Sequence, residues 1–148
     1  MTQPLDIRRN EASADAIERL LLACDRDFDP PLSSRVEIKA YAHRLHTKAE
    51  RFELFEASAL VGLVAIYCND PTGQAAFVSN VSVAQRRRGQ GIADALLTEA
   101  LAYATVQGFA MITLEVGPLA TAAQALYLKH GFKMKVRGAE THVYCRDL

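Results

Sequence analysis

Three β-rich runs follow one another through turns too short to carry the chain across a sheet. Runs 51–56 and 60–67 are separated only by Ala57-Ser58-Ala59, and the run Ala75–Val83 follows the turn Asn69-Asp70-Pro71-Thr72-Gly73. A parallel partner needs a long crossover, usually a helix, so these three strands are expected to pair antiparallel. Gly62, inside the second run, marks either a bulge or a close approach by another element. A doubly wound parallel sheet, in which strand and helix alternate throughout, is therefore excluded.

The flanking segments supply the helices. Residues 5–8 alternate apolar and polar, as a short half-buried strand does. Ser13 is a fitting N-cap for a helix to about Arg26, with Ile17, Leu20, Leu21 and Cys24 at helical spacing, and Asp29-Pro30-Pro31 prevents its continuation. Ser33 or Ser34 opens a second predicted helix to about Glu50, whose inner face is Val36, Tyr41, Leu45 and Ala49. Ile92, Leu96, Leu97, Ala100, Leu101 and Ala104 define a third, stopped by Gly108. Met111–Val116 reads as a buried strand, 120–130 as a helix closed by Gly131, and Lys133–Val136 with 142–146 as a final hairpin. The order β-α-α-β-β-β-α-β-α-β-β predicts one α/β (α+β) domain over 1–148. Its expected sheet is mixed and mostly antiparallel, of about seven strands, with about four helices on its faces.

Charge narrows the function classes. Seventeen Lys plus Arg balance 17 Asp plus Glu, whereas coating nucleic acid or an anionic membrane requires a cationic excess. No run approaches the roughly 18 to 20 apolar residues of a membrane span, and the N-terminus lacks the basic start and apolar stretch of a secretory signal. Cys24, Cys68 and Cys145 are odd in number and far apart, without a CxxC pair or a histidine placed beside them to hold zinc. The expectation is a cytoplasmic protein with reduced thiols and no metal. His43, His46, His130 and His142 are scattered and are read as surface residues, and Cys145 as a small core residue.

The segment from Val81 to Ala93 carries the chemistry. It joins a predicted strand to the strongest predicted helix through Arg86-Arg87-Arg88-Gly89-Gln90-Gly91. A helix N-terminus offers unpaired N–H groups and partial positive charge, and two glycines let a ligand reach that backbone. A phosphate or pyrophosphate is the expected occupant, with Arg88 beside the glycines as a charged donor and Arg86 and Arg87 raising the local potential. Ile92-Ala93 after Gly91 excludes a Walker loop, which requires Lys and then Ser or Thr. A dinucleotide fingerprint lacks its third glycine.

Arg88-Gly89-Gln90-Gly91-Ile92-Ala93, preceded by Val81-Ser82-Val83, resembles the pyrophosphate motif of the GNAT superfamily of acyl-CoA-dependent N-acyltransferases. Ala123 to Phe132 is similar to that family's later signature, with Leu126-Tyr127 followed by Gly131-Phe132. The resemblance is strong over about Ala75 to Phe132 and elsewhere extends to element order only. It implies acetyl-CoA as acyl donor, bound by Val81, Ser82, Val83, Arg88, Gly89, Gln90, Gly91, Ile92 and Ala93. The strands at Val83 and at Met111–Val116 are then expected to splay, with a bulge near Asn80 or Ser82 tilting one away. The implied reaction is direct attack of a primary amine on the thioester. Tyr127 matches the family's general-acid position, a backbone N–H around Val81 the oxyanion donor, and Glu115 is the candidate base. Ala120 stands where the family often has an asparagine against the CoA arm.

Two other readings use the same residues: a non-catalytic acyl-CoA sensor, which has no need of Tyr127, and a nucleic-acid contact through the three arginines, which lack a stacking aromatic set. Ser79, Asn80 and Ser82 are candidates to orient the amine or a water. Asp25, Asp27 and Asp29 either attract a cationic acceptor or serve a solvated turn. The acceptor, a small molecule or a protein amine, is not marked by any motif. The final strands are a candidate homodimer edge.

Overall fold

The computed structural model describes residues 5–148. Its strands are β1 (Arg8–Arg9), β2 (Glu50–Glu56), β3 (Ala59–Tyr67), β4 (Ala75–Val83), β5 (Met111–Val116), β6 (Lys133–Val136) and β7 (His142–Asp147). Its helices are α1 (Ala14–Cys24), α2 (Ile38–Lys48), α3 (Ile92–Val106) and α4 (Thr121–Lys129). The strands form one seven-stranded sheet in the order β1-β2-β3-β4-β5-β7-β6. Every neighbouring pair is antiparallel except β4 and β5, which α3 connects as a parallel crossover. No helix of the described residues is long and apolar enough to cross a membrane.

Two boundaries depart from the sequence-based expectation. Alternation at 5–8 suggested a strand there, but the ladder begins at Arg8, opposite Glu53, and ends at Arg9. An extended segment becomes a strand only where a neighbour's backbone is in reach. The second helix starts at Ile38, not at Ser33 or Ser34, and is capped by Glu37, whose carboxylate accepts the Ala40 N–H at 2.5 Å. Ser33 instead gives both its N–H and its hydroxyl to Asp25, each at 2.6 Å, in the turn Leu32–Ser34. Those bonds compete directly with a cap at the same residue.

The sheet separates two cores. On one face α3 packs Leu96, Leu97 and Ala100 against Phe52, Val64, Ile66, Ile112 and Leu114. On the other, α1 and α2 pack Ile17, Leu21 and Leu45 against Leu63 and Ala65. Gly62 meets both sequence-based readings. A Cβ there would lie 2.8 Å from Ile92 Cγ2, and Val61 beside it is the extra residue of a β2–β3 register slip. A second slip, opposite the step from Ala65 to Ile66, leaves Ser79 as the extra residue of β4. It exchanges the faces: Ala76 and Val78 point toward α3 before it, Val81 and Val83 after it, and Asn80 and Ser82 are buried.

The helical pair is fastened to the sheet by a buried ion pair. Arg51 (3% exposed) donates Nε to Glu53 (0% exposed) at 3.0 Å, and its other nitrogens reach the carbonyls of Leu45, His46 and Ala12. Glu53 also accepts the N–H groups of Glu11 and Ala12 at 2.7 and 3.1 Å, just before α1. One pair of charges thus satisfies backbone groups at the start of α1 and the end of α2. A buried charge that loses its partner has no water to replace it, so Arg51→Ala is expected to lower the unfolding free energy by about 3–5 kcal/mol. Urea denaturation followed by circular dichroism measures this, and a loss under about 1 kcal/mol would contradict the fastening role.

Candidate active site

β4 and β5 pair only from Ala75↔Met111 to Val78↔Leu114. Beyond the Ser79 bulge they separate, leaving a cleft of about 560 Å³ between the later part of β4, Glu115 to Gly117 and α4. Buried backbone groups normally have partners, so a strand edge left free along a cleft is a place for a ligand to pair.

At one end of the cleft lies the N-terminus of α3. Gly91 occupies the N-cap position with φ of 78°, and no side chain caps the helix. Gly89 has φ of 75°, and a Cβ at either glycine would find nothing within 4 Å. Glycine is required there by backbone angle, and the space a side chain would take is open. The first N–H groups of α3, at Ile92 and Ala93, border this space with the positive end of the helix dipole.

The arginines are engaged with the protein. Arg88, expected beside the phosphate, donates Nε to the Val83 carbonyl at 3.1 Å and pairs with Asp27 after α1. The Asp27 carboxylate holds the Arg88 guanidinium above its ordinary pKa. Arg86 and Arg87 both pair with Glu56 at the end of β2, and Gln90 accepts the Arg87 Nε–H at 3.0 Å. Asp94, a potential repeller of phosphate, is turned to Lys129 and His130, each at 3.0 Å, and the Lys129 hydrogen bond holds its carboxyl below the usual range.

Tyr127 lines the cleft from α4. Its ring packs edge-on against Phe132 with centroids 5.7 Å apart, and burial pushes its phenol above the ordinary value. It therefore stays protonated throughout the neutral and mildly alkaline range. Glu115, exposed, also lines the cleft. Its strand neighbours Leu114 and Val116 enter the core beneath α3, so Glu115 is directed to the opposite face, the side of α1 and α2. Ala120, at the position where members of the resembled family often carry an asparagine, lines the same space with a methyl group.

Val81, Ser82 and Val83 all border the cleft, and the buried Ser82 hydroxyl donates to Asn80, also in the lining, at 2.6 Å. Ser79 is held by the Tyr41 hydroxyl, 2.6 Å from its Oγ. The three aspartates also have partners: Asp25 holds Ser33, Asp27 holds Arg88, and Asp29 accepts the Leu119 N–H at 2.8 Å. The loop after α1 therefore lies across the cleft mouth, from the β4–α3 turn to the β5–α4 turn. Gly117 permits this contact, because a Cβ there would lie 2.0 Å from the Asp29 carbonyl oxygen. Two histidines differ from the surface reading: His142 is buried, its Nδ1 accepting the Gly138 N–H, and His130 is half-buried against Asp94. Cys145 is half-buried too, its thiol 3.8 Å from the Met111 sulfur. Phe28 and Arg35, which no motif marks, also line the cleft.

The acetyltransferase (GNAT) family model matches residues 14–132. N-acetyltransferase 8F1 of Rattus norvegicus is 38% identical over 77 residues, covering 50% of this chain and 35% of that protein. N-acetyltransferase 8B of Homo sapiens is 36% identical over 90 residues, covering 59% of this chain and 39% of that protein. The chain thus spans well under half the length of either relative. In fold it is similar to the PaiA N-acetyltransferase of Thermoplasma acidophilum in complex with coenzyme A. The TM-score is 0.72 at 14% identity, with 97% of this chain and all of that one (100%) covered. Because the family match takes in α1 through Phe132, and with them the splayed strands, the glycine turn and Tyr127, the chain belongs to the GNAT acetyltransferase family.

Proposed function

We propose that the cleft binds acetyl-CoA and transfers the acetyl group to a primary amine by direct attack within a ternary complex. The observation that carries this reading is a strand edge without a partner leading to an uncapped, glycine-opened helix N-terminus. The free edge of β4 suits the amide groups of a pantetheine arm, and the turn at 88–93 suits a diphosphate. Acetyl-CoA supplies the activated acyl group. The fold relative from Thermoplasma acidophilum, bound to coenzyme A, supports the same use of this fold.

The chain's residues divide the reaction into three tasks. Glu115 takes one proton from the ammonium, directly or through a water, and the free amine then attacks the thioester carbonyl to form the C–N bond; the second proton leaves the nitrogen to solvent as the tetrahedral intermediate collapses. A backbone N–H near Val81 stabilises the oxyanion. Tyr127 donates a hydrogen bond to the sulfur as the C–S bond breaks, and the thiolate takes its proton from the phenol or from solvent. Burial raises the phenol further above a thiol of pKa about 8.5, so hydrogen bonding to the thiolate is the larger part of that task. The three free cysteines suit a reducing, cytoplasmic setting.

Gly91→Val strains a residue at φ 78° and places a side chain where the phosphate would sit. Calorimetric titration is expected to show acetyl-CoA binding lost in a variant with unchanged far-UV circular dichroism, and retained affinity would contradict the phosphate site. Tyr127→Phe is expected to lower kcat by about 100-fold or more while the acetyl-CoA Kd changes by less than about twofold. Equal losses in both would remove Tyr127 from the chemistry. Because the phenol is shifted upward, its loss of a proton is not expected to lower kcat below about pH 10. An alkaline limb near pH 8 that disappears in Tyr127→Phe would refute that assignment.

A further inference from the structure

The charges lining the cleft are few, and most are already matched. Arg88 is taken by Asp27, Arg87 by Glu56, and Asp94 by Lys129 and His130. Asp29 faces the Leu119 N–H. Among the described residues lining the cleft, Arg35 and Glu115, of opposite sign, are the two charged side chains with neither an ion partner nor a hydrogen bond. Both belong to the side of the sheet that carries α1 and α2: Glu115 by the alternation of β5, and Arg35 by its place just before α2.

Arg35 is held in place through its backbone. Its N–H bonds to the Leu32 carbonyl at 3.0 Å, and the turn that carries it is fixed by the two Ser33 bonds to Asp25. Ser33 holds the Asp25 carboxyl below its ordinary range, as expected of an ionised group accepting two short bonds. The Arg35 charge also reaches the Tyr41 phenol, which burial raises and whose hydroxyl holds the bulge residue Ser79. Arg35 lines the same cleft as the part of β4 from Val78 to Val83, and Phe28 adds an apolar surface to that lining.

We propose, resting on the acetyl-transfer reading above, that the acceptor is an amine carrying its own carboxylate, an α-amino acid or a close analogue, with Arg35 binding that carboxylate. A planar guanidinium presents paired donors that match a carboxylate in bidentate geometry. Glu115 is left for the ammonium group, so the two unmatched charges complement a zwitterion. A polyamine would require several free carboxylates, and the aspartates that might serve have partners. The N-terminus of a peptide bears an amide carbonyl where the amino acid bears its charge, and would leave Arg35 unmatched.

The test is acetyl-CoA-dependent release of free thiol with a panel of α-amino acids, their amides and diamines, using the full chain and the variants Arg35→Ala and Arg35→Lys. For the parent chain, amino acids are expected to exceed their own amides by about 10- to 100-fold in kcat/KM, the range for loss of a charge-assisted bond. Arg35→Ala is expected to abolish that preference by loss on the amino acid side, Arg35→Lys to keep part of it, and both to retain the parent's KM for acetyl-CoA. Amides or diamines used as well as amino acids, or an Arg35→Ala preference equal to that of the parent, would overturn the proposal while leaving acetyl transfer standing. A raised acetyl-CoA KM in Arg35→Ala would overturn it as well, by assigning Arg35 to the cofactor. Failure to bind acetyl-CoA in titration would instead overturn the underlying reading. Arg35 is exposed and has no ion partner, so its replacement leaves the core intact, and circular dichroism of the variants verifies this.

Discussion

The structure depends on the place where two parallel strands stop pairing. α3 returns the chain so that β5 lies parallel to β4, and the ladder holds for four residue pairs before Ser79 interrupts it. One extra residue tilts the rest of β4 and moves Val81 and Val83 onto the α3 face. Had pairing continued to Val83 and Val116, the backbone groups bordering the cleft would have been satisfied within the sheet, and no ligand edge would remain. The bulge thus makes the cleft and also aims the strand at the glycine turn.

The two halves of the molecule meet across that opening in different ways. On the α3 side the contact is apolar and continuous, with Gly62 removing the side chain that would hold Ile92 away. On the α1 and α2 side a buried arginine and glutamate fix the helices, while exposed pairs such as Asp27 with Arg88 connect the following loop to the cleft rim. Exposed ion pairs each contribute only about 0–1 kcal/mol, so they orient that loop without locking it. That rim of the cleft is held in part by exposed pairs of this modest strength.

Much of the fold was legible because it follows from local pattern. Short turns at Ala57-Ser58 and Asp70-Gly73 dictated antiparallel neighbours, and 3.6-residue spacing located α1 and α3 nearly to the residue. Errors fell where a distant partner decided the outcome. Ser33 was available as a cap until Asp25 accepted both its donors, and 5–8 had strand character without a neighbour to pair with. The glycine turn and Tyr127 were readable as motifs, since backbone angle and helical position are local properties. The partners of Arg88 were not, because Asp27 is remote in sequence and meets it only across the cleft mouth.

The sequence by itself determined the strand order's antiparallel middle, the amphipathic helices and the glycines that only a left-handed backbone explains. Each of these is set by neighbours a few residues away. Which charges are matched and which are left over, with Arg35 and Glu115 on one side of the opening and the aspartates already occupied, was decided by tertiary structure alone. Electrostatic pairing acts through space between elements far apart along the chain, and a linear pattern carries no record of it.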